Sequence, residues 1–424
     1  MIKRFLSFFL VLCILCSLAA CNAAPKETVP PETLPKQEGF VDKTGFKVPD
    51  PLPYPDYTFD SAPSIERLRA TAVRAMRDLL TIQWSTATDI SYYKTGPINS
   101  KNFQHAKDTL YGGTLYSSAS TGIFQFFEYY NQETGRLEYP GTSDELKQEL
   151  GSSCADALIW SLCTVSCTIN GAFYPSTMVQ KNGFLPVGGY TYDESVTSFY
   201  KLPTQNIVEQ NGKDVMLEAY AQVQAADAFV STPDDHGIMV ISRPYVQRDE
   251  NGKIIPEESY VYIQDQRGGA GAGFYEEKVG SHIVRYSGRT KAKYTFAELY
   301  NKAYIPVAPA EFLGIKEYEN AYVKVSEGPC TTLEELLQLQ VESNYPIAVV
   351  NVIVADSFGN KTVIDRELTG GDKVGGPPRV IALNQLAALT EFAQSEYNVP
   401  SYILQIEVVT STGERFLPIE FPIN

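Results

Sequence analysis

The sequence predicts an α+β chain, and three observations carry that expectation. Apolar residues recur at helical spacing over Ile65, Leu68, Val73, Met76, Leu79 and Leu80, and a second helical signal starts at Cys154. Alternating or continuous apolar runs, the mark of strands, then dominate from Val215 to Tyr304. A tail from about 318 to 424 repeats strand-like runs between turn residues and reads as a β-sandwich-like module of its own.

The elements follow in order. Asp60 or Ser64 is a suitable cap for the first helix. Between Tyr111 and Tyr130 aromatic residues and glycines mix without clear period. Strands are expected near 227–230, 237–242, 259–264 and 282–287, then at Ile347 to Val354, Lys361 to Leu368, Tyr402 to Val409 and Arg415 to Phe421. One helix at about 382–396 interrupts the tail through Leu383, Leu386, Leu389 and Phe392.

The N-terminus has a different character. Lys3 and Arg4 precede an apolar run that ends in Leu18-Ala19-Ala20-Cys21, the layout of a secretory signal over residues 1–20. The run is too short for a confident spanning helix, although an uncleaved N-terminal anchor is the plain alternative. Small residues before Cys21 resemble the lipobox of bacterial lipoproteins, which implies a lipidated Cys21 as mature N-terminus and an extracytoplasmic protein held on a membrane by lipid. Residues 21–57 carry eight prolines from Pro25 to Pro55 and read as an extended tether.

Composition narrows the function. The net charge of -15 weighs against nucleic-acid binding, which needs a basic footprint. Only 3 His and 7 Cys give poor support for a multi-site zinc protein, and no metal or organic cofactor is expected. The 27 Tyr suit sheet surfaces and polar clefts, because the ring is apolar and the hydroxyl is not.

One constellation can carry chemistry. Ser152-Ser153-Cys154 places a thiol in the first turn of a helix, where the macrodipole favours thiolate. The bland alternative is a buried small hydrophobe, the reading that suits Cys163 and Cys167 further along. Next, Asp234-Asp235-His236-Gly237-Ile238-Met239-Val240-Ile241 opens an apolar strand with a His. In Ser259-Tyr260-Val261-Tyr262-Ile263-Gln264-Asp265-Gln266, alternation puts Asp265 on the face of Val261 and Ile263, past its apolar end. A thiol, a His and a polar orienting residue suit nucleophilic catalysis. His105 and His282 read as surface or structural residues, and Cys330 has no obvious disulfide partner.

On these motifs, residues 58–315 resemble an extracytoplasmic cysteine peptidase of the NlpC type, with affinity to CHAP-type amidases. Both are papain-like enzymes, built from N-terminal helices and an antiparallel sheet, that cleave amide bonds of peptidoglycan. Cys154 matches their nucleophile, the run from His236 their His-led strand, and Gln224-Ala225-Ala226-Asp227 their entry into the preceding strand. The resemblance makes Asp265 the third member, with Gln264 or Gln266 as fallbacks. Tyr111-Gly112-Gly113-Thr114-Leu115-Tyr116 is similar to their Tyr-Gly segment, at a greater distance from the nucleophile than the family uses. Other departures are Ser-Ser before Cys154 and Gly237 where a β-branched residue is usual. The implied function is a cysteine hydrolase acting on peptidoglycan stem peptides, followed by a β-sandwich-like, Ig-like domain at 318–424. The rival is a catalytically inactive surface lipoprotein that binds glycan or protein.

Overall fold

The computed structural model describes residues 52–94, 101–267, 274–280, 282–370, 376–392 and 402–422, together with the short strands Phe40–Val41 and Lys47–Val48. The signal-like segment, Cys21 and most of the tether lie outside the described residues. From Gln37 to Asn424 the chain makes one compact α+β unit containing two principal apolar cores.

Helix α1, Ile65–Thr81, begins where the Ser64 hydroxyl accepts the Arg67 amide at 3.3 Å. Leu68, Ala72, Ala75, Met76, Leu79 and Leu80 are buried, three or four residues apart, as one apolar stripe. That stripe packs on helix α2, Cys154–Leu162, whose residues are buried on every side. A helix buried on all sides belongs in the centre of a core, and α2 occupies that place, with its Asp156 held by Ser153. Each fully buried Leu on these helices contributes roughly 1.5–3 kcal/mol.

The central sheet has six strands: β1 (Phe184–Pro186), β2 (Ala228–Ser231), β3 (His236–Val240), β4 (Tyr260–Gln266), β5 (Gly288–Thr295) and β6 (Ile305–Pro309). Their order is β5-β4-β3-β2-β6-β1 and every pairing is antiparallel. Strands β2 and β3 form a hairpin with Ser231 opposite His236, and the turn holds Asp235 at φ 43. The entry to β2 is structural. Arg69 of α1 donates to Asp227 at 2.6 Å and to the carbonyls of Ala225 and Phe312, pinning α1 to the sheet. Burial pushes the Asp227 carboxyl up to about 6, against the pull of Arg69.

The C-terminal module stacks two sheets on its own core. One holds β7 (Val323–Val325), β8 (Gln340–Ser343) and β9 (Val380–Ala382); the other is ordered Lys361–Leu368, Ile347–Ala355, Ile403–Thr410 and Arg415–Pro422. Val341 and Ile381 from the first sheet meet Val350, Val352, Leu404 and Ile406 from the second. The module is also joined to the larger core, to which Ala348, Val349 and Val409 belong. The Ser411 hydroxyl donates to the carbonyl of Cys163 at 2.7 Å, at the end of α2.

Candidate active site

Cys154 opens α2 and is 7% exposed. Ser153 precedes it with its amide and hydroxyl both donating to Asp156 Oδ2, at 2.9 and 2.6 Å, which ties down the first turn. The thiol donates to the Asp235 carbonyl at 3.9 Å and lies close to the His236 side chain, whose charge it favours. His236 Nε2 lies 2.8 Å from Asp265 Oδ2. With Nε2 engaged by Asp265, Nδ1 is the nitrogen left for sulfur.

Strand register produces this alignment. Met239 sits opposite Gln264 and Val240 opposite Ile263, so Ile263 and Asp265 share a face with Ile238 and His236. Gln264 and Gln266, on the other face, do different work. Gln264 donates to the Val73 carbonyl of α1, and Gln266 to the Thr114 carbonyl. Among the described residues neither fallback hydrogen-bonds His236; the residue at its ring is Asp265.

Two further residues at the site carry no signal in the motifs. Arg289 Nε donates to Asp265 Oδ1 at 2.8 Å and Arg289 Nη2 to Asp265 Oδ2 at 2.7 Å, a bidentate fork. Arg267 places its Nε 3.7 Å from Oδ2. Asp265 itself is fully buried. Burial would raise its carboxyl, but the Arg289 charge and the bond from His236 hold it well below the usual carboxylate range. Burial likewise opposes charge on His236, yet the Cys154 charge and the Asp265 bond outweigh it and push the imidazole up to about 10.

Tyr116 packs against Phe103 and feels the charges of the site. Burial, then the charges of Cys154, Asp156 and Asp235, push its hydroxyl far above the ordinary tyrosine value. The long interval before Cys154 is looped out by backbone pairing: Ser152 N–H donates to the Leu115 carbonyl and Thr121 N–H to the Gly151 carbonyl, each at 2.9 Å. Gly151 has φ 105, and a Cβ there would stand 2.4 Å from the Leu115 carbonyl oxygen, so this junction needs glycine.

Gly237 has a similar explanation. A Cβ there would stand 3.2 Å from Leu158 Cδ2 and 3.5 Å from Met178 Cε. The missing side chain lets α2 lie close against β3, which brings Cys154 to His236.

The remaining candidates stand apart. His105 is buried among Trp84, Tyr92, Tyr111 and Phe274, and burial pushes it down to about 3. His282 lies on the strand His282–Tyr286. Cys163 is buried, Cys167 half-buried and Cys330 exposed, all as free thiols. Among the described residues, no group of three or more His, Cys, Asp and Glu is placed to hold a metal ion.

No protein-family model matches the sequence, and comparison with curated proteins and with solved structures finds no match either.

Proposed function

We propose that the chain is a papain-like cysteine hydrolase that cuts amide bonds in peptidoglycan stem peptides. The observation that carries this reading is the grouping of a buried Cys154 thiol, His236 and Asp265, with His236 Nε2 2.8 Å from Asp265 Oδ2 and the thiol favouring charge on the ring. A thiol at a helix start, a His charged at neutral pH and a buried carboxylate behind it are the parts a thiolate–imidazolium pair requires. The Leu-Ala-Ala-Cys segment ending at Cys21 supports an extracytoplasmic enzyme tethered through lipid on that residue.

The chemistry follows from the parts. Cys154 sulfur attacks the carbonyl carbon, and the carbonyl electrons move to oxygen. The Cys154 N–H, at the first position of α2 and without an acceptor one turn back, supports the oxyanion. His236 gives its proton to the leaving nitrogen as the C–N bond breaks, leaving a thioester. Water then attacks the thioester and gives its proton to His236; the acid departs and the thiolate is restored. Asp265 keeps the ring aligned and its positive charge compensated throughout.

The test is hydrolysis of purified peptidoglycan. Cys154→Ser and His236→Ala each abolish new amine release, the first with the melt nearly unchanged and the second with a lower melt because buried Asp265 loses a partner, and the double variant is little less active than either single one. Turnover that survives both substitutions would sink the hydrolase reading. A Cys154 inert to thiol reagents well below pH 8 would favour the non-catalytic surface protein.

A further inference from the structure

The arginines near the sheet end differ in how they are satisfied. Arg69 spends its donors on one carboxylate and two carbonyls. Arg289 spends its fork on both oxygens of Asp265. Arg267 has neither. Its Nε is 3.7 Å from Asp265 Oδ2, beyond hydrogen-bond reach, and among the described residues its guanidinium donates no hydrogen bond. Asp265 Oδ2 already accepts from Arg289 and His236, so Arg267 gains only an attraction of charge there. Its side chain is 27% exposed, which leaves a largely desolvated cation with unmatched donors open to solvent on one side.

Its position puts that cation on the Asp265 side of the His236 ring. Arg267 follows β4 directly, with its amide bonded to the Ser287 carbonyl. From there the contacts run Arg267 to Asp265, Asp265 to His236 and His236 to Cys154. The ring of Tyr116 lies within the fields of both Cys154 and Arg267. We propose that Arg267 receives a carboxylate of the substrate close to the scissile amide, gripping both oxygens with its free fork. This deepens the hydrolase reading and rests on it: the substrate class becomes peptides with a free carboxylate next to the bond cut.

Alkylation tests the cation without requiring turnover. Iodoacetate and iodoacetamide both react by displacement, the thiolate sulfur forming a bond to carbon as iodide leaves; only the first carries a carboxylate. Peptide-resolved mass spectrometry of the whole protein reads Cys154, with the exposed free thiol of Cys330 as internal reference. In the unaltered chain Cys154 favours iodoacetate over iodoacetamide, relative to Cys330. That preference falls about tenfold in Arg267→Gln, the loss expected of one charge-assisted bond. In Arg267→Lys, which keeps the charge and loses the fork, it lies between. An equal preference in the unaltered chain and Arg267→Gln overturns the proposal and leaves Arg267 a mere counter-ion. Should Arg267→Gln fail to fold, Arg267→Lys decides: an undiminished preference there overturns the fork. If Cys154 resists both reagents while Cys330 reacts, the nucleophile itself is refuted and both readings fall.

Discussion

Arg289 and Asp265 face each other across β4 and β5 and are joined by two parallel hydrogen bonds, at 2.8 and 2.7 Å. The fork leaves Asp265 one way to present Oδ2 to His236, and it compensates a carboxylate with no exposure to water. A buried orienting carboxylate on its own would take up a proton or turn away. The pairing keeps it ionised and aimed.

Arg289→Gln is therefore expected to lower kcat about 10- to 100-fold with little change in KM, the loss of a charge-assisted bond acting through Asp265. Stability should fall by about 3–5 kcal/mol, because the substitution leaves a buried carboxylate short of a partner. Arg289→Lys should recover part of kcat. Steady-state kinetics beside a denaturant melt check both, and a change in KM alone would contradict the positioning role.

The pH dependence follows from His236. Its imidazole is pushed to about 10, with burial opposing and the Cys154 charge and Asp265 bond prevailing. Under the proposed mechanism the proton needed by the leaving amine is held through neutral pH, so kcat/KM should fall on the alkaline side near 10 rather than near 6.5. The linkage has the same sign. A raised folded pKa stabilises fully below the unfolded value, about 6.5, and the contribution is lost as pH rises from there through about 10. In Cys154→Ser the leading upward influence is gone, so the ring should titrate at lower pH. NMR titration of the His236 ring protons in both forms decides it; an unshifted ring would show that the thiol does not set its charge.

Why some of this was legible and some not has a physical basis. Helix α1 and strands β3 and β4 are long enough for period to show, and the sequence places them within a residue or two of Ile65–Thr81, His236–Val240 and Tyr260–Gln266. Alternation puts Asp265 on the face of Val261 and Ile263, away from Gln264 and Gln266; that this is also the His236 face is set by the register of β3 on β4. Arg289 was invisible for the opposite reason. A register shift between Ile263 and Asp265 sets which β5 residue faces Asp265, and no local pattern encodes it. Short elements escape the sequence reading too, among them the hairpin of Ile90–Lys94 and Lys101–His105, where Ile90 and Tyr92, Phe103 and His105 alternate inward over too few residues for the period to stand out. The Tyr116 segment reads as a motif in the sequence, but its place beside the start of α2 depends on long-range backbone pairing of 115–121 with 150–152.

The C-terminal module offers the last test, because it supports α2, the helix that carries Cys154, at its far end. Ser411 donates to the Cys163 carbonyl at the end of α2, and Tyr57 N–H donates to the Thr412 carbonyl at 3.1 Å. Gln125 donates to the Thr369 carbonyl, and Arg366 and Arg415 both pair with Glu128. Ala348, Val349 and Val409 complete the larger core, whereas the module's other apolar residues close a core of their own. The dependence should be one-sided. A fragment of residues 318–424 is expected to give a β-rich circular dichroism spectrum and a cooperative melt. A chain ending at residue 317 loses the helix-end bond and three core side chains, at roughly 1.5–3 kcal/mol for each valine, against a typical total stability of about 5–15 kcal/mol. It should melt far lower than the full chain and lose peptidoglycan hydrolysis. A truncated chain with unchanged melt and turnover would show that the contacts between the modules are incidental to the site.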